Sequence, residues 1–363
     1  MTRRSLYFVG PGETELREEP IPEPDDTELR VRTVVSAISP GTELLVYKGE
    51  VDSEMAADSN FSSLSGSLSY PLKYGYAAVG HVEAVGSAVD DTWLDRRVFA
   101  FNPHESHFCA TADELHPIPA ELPTELATLL PTAETAVTLV QDGAPRLGER
   151  VVVFGQGLVG LVTTAVLSGF PLEELVTVEP SADRRELSER LGATASVHPD
   201  ELGDVLELPG EAETATDGPS EPPTATDHPG ADLCFELSGN PAALDAAVSA
   251  TGYDGRVIIG SWYGTKPTEL DLGGRFHRSR ITLSSSQVST IDPSLRGRWN
   301  RSRRMELAWA QLNDALADLL TDQHPFESAP EVYARLGGDA TEPDEASGAT
   351  ETVGTLFSYE GSL

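Results

Sequence analysis

Residues 149–170 read ERVVVFGQGLVGLVTTAVLSGF. The apolar run Val151–Phe154 is too short for a helix and suits a strand covered on both faces. Gly155 breaks the run, and an apolar stretch of helical length starts at Leu158. Gly155-x-Gly157-x-x-Gly160 therefore closes a strand and opens a helix, the setting in which this spacing marks a dinucleotide site. The first glycine permits the tight turn, the second lets a pyrophosphate approach the backbone, and the third lets helix pack on strand. The free amides at the helix start, at Leu158 and Val159, then face the phosphates. Methyltransferases carry similar loops, so the next acidic residue matters. Glu179 ends the following strand, LVTVE, nineteen residues after Gly160. A carboxylate there accepts ribose hydroxyls and repels a 2′-phosphate, which favours NAD. Arg184 and Arg185 keep NADP open, although both also suit an exposed helix face. Ser238, just past the strand ADLCFE, is assigned to the same cofactor site.

Strands and helices alternate downstream. The segment SADRRELSERLGA reads as a helix, ADLCFELSG and GRVIIGSW as buried strands, and NPAALDAAVSATG as a helix with Asn240 as cap and Pro241 at its first position. Such alternation predicts an α/β, doubly wound parallel sheet of Rossmann type. Upstream the character differs. Residues 6–12, 28–36, 74–86 and 96–101 read as short strands separated by turns, as in a small β-barrel. Residues 126–130 and 135–141 have helical spacing. So does a later helix with an apolar stripe of Met305, Ala308, Trp309, Leu312, Leu316 and Leu319. Two stretches rich in Pro, Gly, Thr and acids, 207–230 and 337–351, read as solvated insertions.

A chain of 363 residues suits two domains. Its apolar runs fall short of a membrane span, its N-terminus does not resemble a signal peptide, and its two cysteines cannot build a disulfide framework or a multi-cysteine zinc site. The expected location is the cytoplasm. Fifty-nine acids face twenty-five bases, of which three are lysines, giving a net charge of −34. Self-repulsion on that scale destabilises a compact state in dilute salt. Molar salt screens it within about 3 Å, so the composition suggests a halophilic cytoplasm. Such a surface does not suit nucleic acid phosphates.

With the glycine loop mid-chain behind a strand-rich region, the sequence resembles the medium-chain dehydrogenase/reductase superfamily, the zinc-type alcohol dehydrogenase-like proteins. The resemblance covers nearly the whole chain. It rests on VSAISPGTELLVYKGE (35–50), YAAVGHVEAVGSAVD (76–90), RRVFAF, PTAETAV, the glycine loop, ELSGNPAALDAAV and GRVIIGSW. It implies a GroES-like catalytic domain from residues 1–130, completed by 287–363, and a Rossmann domain over 131–286. ISPGTE, PTAETA, FHRSRITLSSSQVS and RGRWNRSRR resemble the zinc-lacking branch that contains bacteriochlorophyllide-type dehydrogenases. The implied activity is NAD(P)-dependent hydride transfer between nicotinamide and an alcohol or carbonyl, or an activated alkene, in a cleft between the domains. A homodimer and a small-molecule substrate are also implied. The rival reading is a non-catalytic NAD(P)-binding sensor or structural protein.

Departures from the family pattern shape the mechanism. Zinc members read Ile-Cys-Gly-(Ser/Thr)-Asp where this chain has Ile38-Ser39-Pro40-Gly41-Thr42-Glu43, and Gly-His-Glu where it has Gly75-Tyr76-Ala77. Catalytic zinc needs three protein ligands, so a zinc-free enzyme is expected. Thr42, Tyr76, His104 and His107 are the candidates to handle the proton. Against this, Thr42 also suits a turn, Tyr76 the core, and the histidines a polar loop. His104, Glu105 and His107 have ligand-like spacing without a third partner, and His81 reads as a barrel-strand residue. Glu134 is a further candidate that suits pairing with an arginine equally well. Eight of the twenty-two arginines fall between Arg275 and Arg304. They suit either an anionic substrate or ion pairs with the protein's own acids.

Overall fold

The computed structural model describes residues 2–57, 62–64, 66–209, 229–338 and 352–359. Most of both acidic stretches lies outside these residues. The chain forms two units, Met1–Pro131 with Leu312–Leu363, and Thr132–Gln311.

In the first unit, β1 (Thr2–Gly10) and β2 (Glu13–Pro20) form an antiparallel hairpin. The reading of 6–12 as a strand ran through this turn, where Gly12 adopts φ +74, and it missed β2. The sequence of β2, ETELREEP, lacks an apolar alternation because its faces are at most half-buried. The main sheet contains β3 (Glu28–Ala37), β4 (Ala78–Val85), β5 (Arg97–Ala100) and β7 (Leu115–Pro117), with β6 (His107–Thr111) also pairing with β3. Two late strands, β14 (Asp322–Pro325) and β15 (Thr355–Ser358), complete it in the order β14-β15-β3-β4-β5-β7. Leu29, Val31, Ala78, Val82, Val98 and Phe108 fill one core cluster, as the alternation in β3 predicts. Helices α1 (Pro40–Lys48), α2 (Thr124–Ala127) and α9 (Ala329–Gly337) belong to this unit.

The second unit begins within α3 (Leu130–Gly143). Strands β8 (Arg150–Phe154), β9 (Glu174–Val178), β10 (Ala195–Val197), β11 (Ala231–Glu236), β12 (Thr251–Ile259) and β13 (Thr282–Ser285) make a parallel sheet in the order β10-β9-β8-β11-β12-β13. The order reverses between β8 and β11, so ligands are expected at the carboxyl ends of those strands. Helices α4 (Leu158–Leu167), α5 (Ala182–Arg190), α6 (Leu202–Val205) and α7 (Pro241–Ala250) connect the strands. The Asn240 side chain accepts from Ala242 N at 3.1 Å, the cap read from sequence.

Two boundaries differ from the sequence reading. The return to the first unit comes at Leu312, not at residue 287. Residues 287–311 stay with the second unit because α8 (Arg301–Gln311) is tied there through Arg304. The apolar stripe from Met305 to Leu319 is also not one helix. Asn313 accepts from Ala315 N and restarts the chain as a separate 3₁₀ turn over Asp314–Leu319.

Candidate active site

In the first unit, α1 starts behind Ser39 with Pro40 at its first position and Gly49 closing it at φ +70. Glu43, one turn in, reaches back so that Ser39 N donates to its Oε1 at 2.7 Å. Its other oxygen, Oε2, lies 3.0 Å from His104 Nε2 and accepts the Tyr333 hydroxyl. Glu43, His104 and Tyr333 are wholly buried. His104 Nδ1 is 2.7 Å from Ser36 Oγ, which is 2.9 Å from the Tyr359 hydroxyl. A carboxylate only accepts, so in the neutral ring Nε2 carries the hydrogen. Nδ1 then accepts from Ser36, and Ser36 from Tyr359. Burial, then the charge of Glu43, raises the Tyr333 pKa well above its ordinary value; burial also raises that of Tyr359.

Gly75 makes room for this network. It has φ +111, and a Cβ there would lie 2.7 Å from His104 Cδ2 and Nε2. The next residue, half-buried Tyr76, donates to Ser39 Oγ at 2.5 Å. Thr42 is half-buried in the first turn of α1, its N donating to Ser39 O at 3.1 Å. Thr42, Tyr76 and His104 are thus each bonded to Ser39 or Glu43. His107 is not. It sits on β6 with Ser106 Oγ at 3.1 Å and Glu83 at 3.8 Å, and burial lowers its pKa. Glu105 pairs with Arg3 at 2.8 Å and with Lys73. The ligand-like spacing of 104, 105 and 107 therefore sends three side chains to three different sets of partners. Among the described residues no group of three or more His, Cys, Asp and Glu could hold a metal ion. His81 lies on β4, with Nδ1 3.3 Å from Asp95 O.

In the second unit, Gly155 has φ +89 and would place a Cβ 2.5 Å from Ser238 Cα. Gly160 would meet Gly155 O at 2.0 Å, so strand, loop and helix touch as the spacing requires. A Cβ on Gly157 would meet nothing within 4 Å, and no side chain caps α4. Its first-turn amides, including those of Leu158 and Val159, are thereby left for an anion. Glu179 stands beside this loop and is 7% exposed, with its carboxylate accepting Gln156 N at 2.7 Å and Ser181 N at 3.1 Å. The opening, the uncapped amides and the adjacent carboxylate fit a dinucleotide. Arg184 N reaches Ser181 Oγ at 3.4 Å, while Arg185 is bonded to Glu179 O and Pro180 O. Ser238 is exposed, and its N donates to Glu236 at 2.8 Å.

Glu134 and Arg304 form a buried pair with bonds of 2.7 and 3.1 Å, the pairing reading of Glu134. Arg304 also donates to Val288 O and Thr290 O. Arg275 bonds Thr251 O, Arg280 pairs with Asp254, and Arg303 bonds Arg298 O and stacks on Trp299. Much of the arginine zone thus serves its own unit.

Sequence reading overlooked Ser36, Tyr333 and Tyr359, and gave Ser39, Glu43 and Glu236 no role. The one available signal was an acid in each of two quoted motifs, ISPGTE and ELSG. The tyrosines lie far along the chain and carry none.

The chain thus comprises a unit built on a doubly wound sheet with a glycine loop and a unit built on a mixed sheet. Residues 159–305 match the family described as zinc-binding dehydrogenase. D-guloside 3-dehydrogenase of Escherichia coli K12 is 24% identical over 268 residues, covering 72% of this chain and 73% of that protein. A structure described as a zinc-binding dehydrogenase from Sinorhizobium meliloti 1021, bound to NADP, aligns with TM-score 0.72 at 18% identity over 99% of both chains. A structure described as a short chain alcohol dehydrogenase from Escherichia coli CFT073, complexed with NADH, aligns with TM-score 0.70 at 16% identity, again over 99% of both. Residues 159–305 are thus similar to the zinc-binding dehydrogenase family, and the solved structures share the fold of the whole chain.

Proposed function

We propose that this protein is an NAD(P)-dependent oxidoreductase that interconverts an alcohol and a carbonyl without a catalytic zinc ion. The observation that carries the zinc-free reading is the bond between Tyr76 and Ser39. The resemblance puts zinc ligands at both positions, and here two neutral hydroxyls face each other. Zinc is held by thiolate, imidazole or carboxylate, so this donor set does not fit it. His104 offers no substitute, since both its nitrogens are engaged by Glu43 and Ser36.

A bound nicotinamide supplies or accepts the hydride. The chain's own residues handle the proton. Two hydroxyls that share one hydrogen bond retain a second O–H, which can donate to a substrate oxygen as charge develops on it. Glu43 fixes the backbone of Ser39, and Thr42 adds a hydroxyl in the same turn. His107 has no part in this reading. Glu179 favours NAD. The motifs ISPGTE and PTAETA support placement with the zinc-lacking, bacteriochlorophyllide-type branch. We further take the protein to be a cytoplasmic homodimer from a salt-rich interior, acting on a small molecule.

The test is turnover of NADH and NADPH against a panel of ketones, polyols and activated alkenes, with metal analysis and with chelator present. Activity that survives chelation in metal-free protein supports the reading. One zinc per chain with chelator-sensitive activity would refute it. Tight cofactor binding without turnover of any compound would favour the non-catalytic rival. A melting temperature that rises with KCl checks the salt adaptation.

A further inference from the structure

Glu236 is a wholly buried acid at the carboxyl end of β11, and the roles assigned above leave it unused. It pairs in register with Phe154, the residue before the glycine loop, and with Ile259 at the end of β12. It therefore sits at the point where the strand order reverses. Its groups tie together the loops that leave the neighbouring strands. Oε1 accepts both the N and the Oγ of Ser238, at 2.8 and 2.5 Å, and Oε2 accepts the hydroxyl of half-buried Tyr263. Its carbonyl accepts Gly260 N at 3.0 Å and Ser261 N at 3.2 Å. Ser261 Oγ in turn accepts Gly239 N at 2.9 Å. Gly155 rests directly against Ser238. The loops after β11 and β12 thus meet at the Glu236 carboxylate, and the loop after β8 rests against Ser238.

We propose that Glu236 is a positioning residue of the dinucleotide site, holding the loops at 237–240 and 260–263 for the nicotinamide half of the cofactor through Ser238 and Tyr263. The inference rests on the dinucleotide-binding reading. The fold consists of two mononucleotide-binding halves that share a dinucleotide across the reversal point. Glu179, at the end of β9, stands on the half that takes the adenosine. Glu236, at the end of β11, stands on the other. Burying a carboxylate is unfavourable unless donors surround it, and here the donors come from the loops that a ligand on that half would touch.

The experiment compares NADH and AMP affinities of wild type, Tyr263→Phe and Glu236→Gln by calorimetry. AMP reports the adenosine half alone. A lost hydrogen bond to a charged group corresponds to roughly a tenfold change, so NADH should bind about tenfold more weakly to Tyr263→Phe, and AMP within about twofold of wild type. Equal losses for both ligands would indicate general loosening and overturn the proposal, as would unchanged NADH binding. Glu236→Gln should weaken NADH at least as much; if it does not fold, half-buried Tyr263→Phe still decides. Wild-type protein that binds neither ligand would remove the dinucleotide reading, and the proposal with it.

Discussion

Ser39 and Tyr76 lie 37 positions apart and meet through their hydroxyls, at 2.5 Å. If this pair supplies the proton, Tyr76→Phe should lower kcat by about a hundredfold, the low end for a general acid. NADH affinity should not change. Ser39→Ala should cost about as much, and the double variant little more than either, since the two act as one unit. Steady-state kinetics of the three variants provide the check.

The glycine loop yields a paired prediction. Gly157→Ala should leave the melting temperature unchanged, because its Cβ would meet nothing within 4 Å. It should still weaken NADH binding by occupying space next to the phosphates. Gly155→Ala should lower both stability and binding, with its Cβ 2.5 Å from Ser238 Cα and its φ at +89.

Glu134 and Arg304 are buried, so removing one partner strands a charge. Arg304→Met should destabilise the fold by about 3–5 kcal/mol, and Glu134→Gln combined with Arg304→Met should restore part of that. Urea unfolding of the single and double variants measures it.

His107 sets a pH dependence. Burial, helped by Arg30, Arg32 and Arg3 and opposed by Glu83, holds its folded-state pKa below the ordinary 6.5. The unfolded chain therefore takes the proton first, and this contribution to stability is present above about pH 6.5 and lost as pH falls. Between pH 7 and 5 the urea midpoint of wild type should fall more steeply than that of His107→Gln. Parallel curves would show that the shift is absent.

The strand-loop-helix at 150–167 and the Asn240 cap were legible in the sequence because each is a local pattern of a few residues. β2 was not, since a strand with no buried face carries no apolar alternation. The break at Asn313 was masked by an apolar stripe that continues in register across it, although Leu312 and Leu316 belong to the other unit. The proton-handling candidates were half legible. Tyr76 and Thr42 lie in motifs, but Glu43 takes its meaning from Tyr333, 290 positions away. Ser36 likewise takes its meaning from Tyr359, 323 positions away. His107 looked equivalent to His104 in sequence, yet the intervening backbone sends the two rings to different partners.

Strand β15 lies between β14 and β3, so the main sheet of the first unit contains a strand that follows the whole second unit in sequence. During synthesis the second unit can fold on its own as it emerges. The first must hold the Val35–Ala37 end of β3 unpaired on the edge shared with β6 until Leu356 and Phe357 arrive to join Ala37 and Ser36. Tyr359 arrives with them, so the bond chain through Ser36 to His104 closes last. The bond chain through Ser36 is therefore completed only after the second unit has been synthesised, and a chain stalled before β15 would carry a complete second unit and an incomplete first-unit sheet.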